Sequence, residues 1–306
     1  MPVPVPIHRP MAAALWMLGS IAAFISMAVA GRAVSGVHDT FEIMTWRSLV
    51  GLALVVTISG VRGRLGEIRT DRLPSHVLRN IVHFTGQNLW FHALTLIPLA
   101  QVFALEFTTP IWVILLAALF LGERITRAKM VAATCGLMGI WLVARPDFAA
   151  LDPGVVAAAL SAVCFATTAI LTKALTRGES IVSILFWLTL MQLCLGLIAA
   201  GWDGTMHLPT AMTLPWLALI GVCGICAHFC LTTALSLAPA SFVVPVDFAR
   251  LPVIALVGWY LYDESVGLGV WLGAGLILGG ILYNLQATAR AGVQLTQGNN
   301  PVTPRQ

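Results

Sequence analysis

The sequence predicts an all-α membrane protein of ten transmembrane helices, arranged as two inverted five-helix repeats. Three observations predict it: a composition too apolar for water, a succession of apolar runs of membrane-crossing length, and a match of the chain to itself at one offset. Of its 306 residues, 58% are apolar and 10% charged, against about 45–50% and roughly 25% in an ordinary globular protein. So few charges cannot cover a soluble fold of this size, and the solvent is lipid. The cysteines (Cys135, Cys164, Cys194, Cys223, Cys226 and Cys230) all fall inside apolar runs. Disulfide frameworks belong to small, loop-rich secreted domains, so these read as free thiols acting as small apolar residues.

A helix needs about 20 mostly apolar residues to cross a hydrocarbon core about 30 Å thick. Such runs cover 12–31, 41–60, 77–96, 99–121, 128–145, 154–175, 180–200, 213–235, 240–262 and 266–286, with short breaks such as Ile97-Pro98 and Ala238-Pro239. An outer-membrane barrel is excluded, because its strands are about 10 residues of alternating polarity. Basic residues set the orientation. With the N-terminus cytoplasmic, the inner side receives Arg9, Arg62, Arg64, Arg69, Arg72, Arg79, Arg124, Arg127, Lys129, Lys173, Arg177, Arg290 and Arg305, and the outer side only Arg32 and Arg145. Both termini are therefore expected in the cytoplasm of a bacterial cell, with the chain in the inner membrane. Residues 1–11 form an N-terminal tail, and the polar tail 288–306, with Gly298-Asn299-Asn300-Pro301, is expected to be disordered. Ala28-Val29-Ala30 resembles a signal-peptidase site, but the repeat needs this segment, so it is read as a span.

The self-match has an offset of 141 residues and no gap. Ala93-Leu94-Thr95-Leu96-Ile97-Pro98 falls on Ala234-Leu235-Ser236-Leu237-Ala238-Pro239, Glu106-Phe107 on Asp247-Phe248, and Glu123 on Glu264. Phe24 meets Phe165, Arg32 meets Lys173, Trp46 meets Trp187, and Gly139-Ile140 meets Gly280-Ile281. Aligned prolines, acids and tryptophans carry more weight than apolar identities between Leu-rich segments. The copies span 12–145 and 154–287. Each holds an odd number of spans, so the second enters the membrane upside down. Inverted halves with a site between them are the architecture on which secondary transporters build alternating access.

Ala104-Leu105-Glu106-Phe107-Thr108-Thr109-Pro110-Ile111-Trp112, continuing to Leu121-Gly122-Glu123-Arg124-Ile125-Thr126 and to a fifth span bearing Gly136 and Gly139, resembles the drug/metabolite transporter superfamily and, within it, the EamA-type members. The second copy departs from the pattern, with Tyr262-Asp263-Glu264 in place of Leu-Gly-Glu. The resemblance covers nearly the whole chain and implies transport of a small-molecule substrate without ATP or a bound cofactor. No Gly-rich phosphate loop is found in the sequence. Such relatives export amino acids and drugs or import metabolites such as riboflavin and S-adenosylmethionine, and riboflavin or a related vitamin is the first specific expectation. Uptake against export stays open.

Ionisable groups inside spans are costly and mark pathways or pairs. Glu106 lies seven or eight residues into the fourth run, roughly 10 Å from the outer surface, and Arg47 at similar depth in the second. The two are placed to pair across helices or to bind a zwitterionic substrate together. Asp247 and Arg250 stand three apart on one helix face. Glu106 and Asp247 are read as lining the pathway, one of them exchanging a proton as the coupling ion. The structural alternative is neutralised ion pairs that pin the packing. His83, Gln87, Asn88 and His92 give the third span a broad polar stripe, facing either a wet cavity or other helices, with His92 a secondary proton carrier. Trp16, Trp141, Trp202, Trp216 and Trp271 read as interfacial anchors. Trp46, Trp90 and Trp112, beside Arg47, the stripe and Glu106, are candidates for gripping a flat ring.

Cys223, Cys226, Cys230 and His228 share spacing with metal motifs, but a second knuckle is missing, so no metal is expected. Gly269, Gly273, Gly275 and Gly279 allow close approach of another span or of a second copy, a homodimer. The basic loop Arg62–Arg79 reads as an orientation signal that also meets anionic lipid heads, with no nucleic-acid role. An intramembrane enzyme would need His-Glu-x-x-His or Gly-x-Ser-x-Gly, neither of which occurs. A channel or receptor is the remaining class, and counterflow distinguishes a carrier from it.

Overall fold

The computed structural model describes residues 9–34, 36–97, 102, 105–144, 153–202, 206–250, 252–253, 256–257, 260 and 267–298. Among them the secondary structure is helical: α1 Pro10–Val34, α2 Thr40–Val61, α3 Leu73–Leu96, α4 Thr109–Leu121, α5 Arg127–Ala144, α6 Pro153–Leu175, α7 Ile181–Ala200, α8 Leu214–Leu237, α9 Ala240–Val246 and α10 Leu268–Gly298, with short 3₁₀ turns at Leu65–Glu67 and Asp247–Ala249. Among the described residues, five helices are long and apolar enough to cross a membrane: α1 over Pro10–Gly31, then α2, α6, α7 and α8. Thr109–Leu121, Ala240–Ala249 and Trp271–Asn284 are shorter apolar helices. The chain is a multi-pass membrane protein.

Local signals start and stop these helices where the chain is polar. Asp39 and Glu42 form a reciprocal capping box at the head of α2, and the Ser180 hydroxyl caps α7 through the Ser183 N–H. Glu42 is fully buried and ties two loops together. It accepts from the His207 backbone N–H at 2.6 Å, and its oxygens lie 2.9 Å from His207 Nδ1 and 3.0 Å from His38 Nδ1. Gly122 ends α4 in the left-handed conformation (φ +66°), where a side chain would be strained. That turn sends Glu123 to the head of α9, where its carboxylate accepts from the backbone N–H groups of Ala240 (2.9 Å) and Ser241 (3.2 Å) and from the Ser241 hydroxyl. Lys129 stands 3.6 Å from Glu123. Lys173 donates to the carbonyls of Leu235 (2.5 Å) and Ala238 (2.8 Å) at the tail of α8.

Helix pairing follows the internal repeat. In α1–α8 the Arg9 N–H donates to the Leu237 carbonyl at one end, Ser20 to Ala227 in the middle, and Ala30 and Val34 pack on Leu217 and Ile220 at the other. The pair is antiparallel. The corresponding pair α3–α6 is built alike: Arg79 meets Thr172, Gly86 lies on Cys164, and Ala93 packs with Val155 and Ala158. In α2–α7, Gly196 lies beside Thr45 and Gly51 beside Thr189, and in α5–α10, Gly139 lies on Ile277 and Gly280 on Cys135. Both are antiparallel. In α2–α8, Val50 faces Gly221 and Val55 packs with Ile225, so these two run together. In α3–α7, His76 meets Trp187 and Asn80 meets Met191, so these also run together. Traced from contact to contact, α6 points opposite to α1, although its sequence repeats that of α1.

Three boundaries differ from expectation. The fourth run is not one continuous helix: residues 105–106 are helical, 107–108 turn, and α4 starts at Thr109. The ninth changes from α to 3₁₀ at Asp247, just after Pro245, whose missing N–H removes a helical hydrogen bond. The last helix continues to Gly298, through the first part of the tail expected to be disordered. Ala287, Ala289 and Ala291 are strong helix formers there.

Candidate functional site

Glu106 and Asp247 stand at the two helix interruptions, one in each half, and a single arginine joins them. Arg250 Nη2 donates to Glu106 Oε1 at 2.6 Å and lies 3.1 Å from Asp247 Oδ2. The side chains are 13%, 12% and 23% exposed for Arg250, Glu106 and Asp247, so the triad is largely desolvated. Aromatic faces enclose it. The Arg250 guanidinium sits 5.2 Å from the Phe107 ring and 5.6 Å from the Phe24 ring, a cation–π arrangement. Phe107 and Phe248, which repeat one another, lie 6.1 Å apart. Trp90 of α3 donates from Nε1 to Glu106 Oε2 at 2.8 Å.

This corrects the expected Glu106–Arg47 pair. Glu106 spends both oxygens on Arg250 and Trp90. Arg47 instead turns toward α8, packs its aliphatic stem against Gly224, and brings Nη2 to 3.5 Å from His228 Nε2. Sequence spacing cannot show which way a side chain leaves a helix that is apolar nearly all round, and α2 is such a helix.

Arg47 belongs to a second polar cluster, built by α2, α3, α6, α7 and α8. His83 and His228 meet edge to face at 5.3 Å. Arg79 donates from Nε to Thr172 Oγ1 (3.1 Å) and from Nη1 to Asn80 Oδ1 (3.2 Å). Gln192 donates to the Asn80 carbonyl at 3.0 Å. A narrow gap lined by Arg47, Ser48, Gly51, Thr189, Gln192 and His228 runs into the cluster. Phe24 joins the two clusters, touching Arg250 on one side and His228 (5.8 Å, edge to face) on the other.

The remaining expected residues divide. His83 and Gln87 are buried, Asn88 is half-buried and donates to the Phe84 carbonyl, and His92 is exposed, so the stripe on α3 covers two faces. Trp46 is half-buried in the α1–α2–α8 contact, and Trp112 is 40% exposed. Arg79, expected as a loop charge, lies inside α3 at 2% exposure. Trp16, Trp141, Trp202, Trp216 and Trp271 are all exposed. Cys226 is exposed, Cys230 packs on Gly19, and His228 turns to His83. Glu264 lies outside the described residues.

A sequence model described as the EamA-like transporter family matches residues 11–145 and, a second time, residues 152–286. The chain belongs to the EamA-like transporter family. The duplication is thus that of an EamA unit, and the chain is a transporter. A riboflavin transporter of Brucella anthropi is 32% identical over 78% of this chain and 85% of that relative. An S-adenosylmethionine uptake transporter of Rickettsia bellii is 23% identical over 90% of this chain and 94% of that relative. A solved crystal structure shares the fold with a TM-score of 0.80 at 18% identity, over 92% of this chain and 99% of that one. In this EamA chain the Leu121-Gly122-Glu123 turn has a physical use: it delivers the carboxylate that caps α9, the element leading to Asp247 and Arg250.

Sequence reasoning passed over Arg79, His228, Gln192, Phe24 and Phe248 as site residues. A signal existed for two of them. Phe24 and Phe248 fall on Phe165 and Phe107 at the repeat offset, and residues shared by both halves gather where the halves meet.

Proposed function

We propose that this EamA transporter is a secondary carrier that takes riboflavin into a bacterial cell through the inner membrane by alternating access. The observation that carries the reading is the Glu106–Arg250–Asp247 triad, which bridges the halves at two helix interruptions and is walled by Phe24, Trp90, Phe107 and Phe248. Aromatic faces beside a polar core suit a flat heteroaromatic ring with a hydroxylated tail, and the riboflavin transporter of Brucella anthropi is a relative at 32% identity.

Ten crossings in two inverted sets of five, with both termini cytoplasmic, accord with the opposed directions of α1 and α6 and with the placement of basic residues. Two carboxylates sharing one guanidinium leave one negative charge in excess, so a proton taken up by Glu106 or Asp247 neutralises the triad and loosens the bridge. That supplies coupling to protons. Gly275 and Gly279 have open space around them on α10, and a second copy of the chain would approach there.

The test is growth rescue. Expressed in a bacterium unable to make or import riboflavin, the chain should restore growth on low external riboflavin, and labelled riboflavin should enter by saturable uptake with counterflow. Failure of uptake by a chain correctly inserted in the membrane overturns the substrate. A second reading, uptake of S-adenosylmethionine, rests on the Rickettsia bellii relative and is measured in the same cells with labelled S-adenosylmethionine.

A further inference from the structure

The second cluster holds charge that the packing does not neutralise. Of the other interior cations described, Arg250 has two carboxylates and Lys129 has Glu123, while Lys173 rests on the two carbonyls that end α8. Arg47 and Arg79 have no carboxylate within 4 Å among the described residues. Their partners are neutral: His228 for Arg47, and Thr172 and Asn80 for Arg79. Around them, buried polar atoms lack any partner: both ring nitrogens of His83, Nδ1 of His228, and the side-chain carbonyls of Gln87 and Gln192. These residues are 6%, 6%, 8% and 1% exposed respectively. Buried polar atoms are nearly always satisfied, and an uncompensated buried charge is among the costliest arrangements in a protein. Such a concentration, opening on a gap between α2, α7 and α8, marks a place where a ligand supplies the missing partners.

The chemistry of that ligand can be read from what is missing. Two guanidinium groups demand acceptors, while the free carbonyls of Gln192 and Gln87 demand a donor. A planar imide edge, carbonyl then N–H then carbonyl, offers both, and a flavin ring carries such an edge on its dioxopyrimidine end. We infer that the narrow gap lined by Arg47, Gln192 and His228, with Arg79 and His83 buried behind it, is the subsite for the imide edge of the transported solute, and that it disfavours cationic solutes. The inference rests on the flavin reading of the carrier and names the part of the ring that is recognised. Gly51 and Gly224 keep the wall low beside Arg47: a Cβ at Gly224 would lie 3.1 Å from the Arg47 side chain, and one at Gly51 3.0 Å from Thr189. Phe24 then stands between this edge and the aromatic walls of the triad, where the rest of a flat ring would lie.

The test uses the full chain purified in detergent, with binding read by quenching of riboflavin fluorescence. Arg47→Gln and Arg79→Gln are each expected to weaken riboflavin about tenfold or more, and Arg47→Lys to recover part of the loss. Riboflavin methylated at the imide nitrogen should bind the wild type about tenfold more weakly, since the donor is gone and a methyl group meets the Gln192 carbonyl. S-adenosylmethionine should not compete. Elution as a single folded species, checked for every variant, separates lost contacts from lost fold. Unchanged affinity in both glutamine variants, or equal binding of the methylated ring, overturns the inference and leaves riboflavin transport standing. If the wild type binds no riboflavin, thermal stabilisation by uracil, present in the wild type and lost in Arg47→Gln, would sustain the imide site while the flavin reading falls. Absence of that stabilisation as well would end both.

Discussion

Arg250 of the second half and Glu106 of the first meet at 2.6 Å, an ion pair that joins the two EamA units. Because Asp247 Oδ2 lies 3.1 Å from the same Arg250 nitrogen, Nη2, one cation holds two anions at the seam. Removing the cation is therefore worse than removing one of the anions.

Arg250→Met should destabilise the folded protein by about 3–5 kcal/mol, the cost of leaving buried charge without its partner. Adding Glu106→Gln to that variant should recover part of the loss, because one carboxylate is then neutral. Thermal unfolding in detergent measures both, and equal stability of the wild type and Arg250→Met would show that the triad carries no packing role.

Glu106→Gln by itself keeps the size of the side chain and removes an ionisable group, leaving one carbonyl oxygen to accept from Arg250 or Trp90 where the carboxylate served both. Uptake by this variant should be slow and should lose its dependence on external pH, as counterflow under symmetric conditions persists. Wild-type rates and a wild-type pH profile would assign Glu106 to packing alone.

Trp90 and Trp112 looked equivalent in sequence but not in space. Trp90→Phe loses the hydrogen bond to Glu106 and should raise the KM for uptake severalfold, of the order expected for one hydrogen bond to a charged group. Trp112→Ala, at a site 40% exposed, should leave KM unchanged. Concentration series of labelled substrate in the two variants settle the contrast.

Gly136 of α5 lies against the ring of Phe248, next to Asp247. A methyl group there has no room, so Gly136→Ala should cost about 1–3 kcal/mol through overpacking and should disturb uptake through the triad. Gly31→Ala in α1, which meets open space, is the control and should behave as wild type.

Glu123→Ala removes the cap of α9 and the partner of Lys129 at once. The cap loss alone is about 0.5–2 kcal/mol. Amide hydrogen exchange should quicken first at Ala240–Val246, with the far end of α4 unaffected. Uniform exchange along the chain would show that the contact does not hold α9.

Much of the architecture was legible without coordinates. The lipid environment, the helical class and the duplication follow from composition, run length and one offset, and the Pro98/Pro239 and Glu106/Asp247 matches already marked the equivalent positions. The site was legible only in part. Spacing marks Glu106, Asp247 and Arg250 as charges inside apolar runs, but it allows Glu106 to pair with Arg47 and puts Arg79 at the end of a basic loop, whereas the structure gives Glu106 to Arg250 and buries Arg79 in α3.

By itself, then, the amino-acid sequence determined that this chain lives in a membrane, is built twice from one EamA-like pattern, and carries ionisable residues where lipid would not tolerate them. Hydropathy and self-similarity are properties of local stretches, and the chain displays them without folding. Only the tertiary structure decided which charge meets which, and which polar atoms are left unmet. Those outcomes depend on the rotation of each helix about its axis and on the interruptions at 107–108 and 247–249. In helices apolar on nearly every side, no periodicity along the chain reports either one.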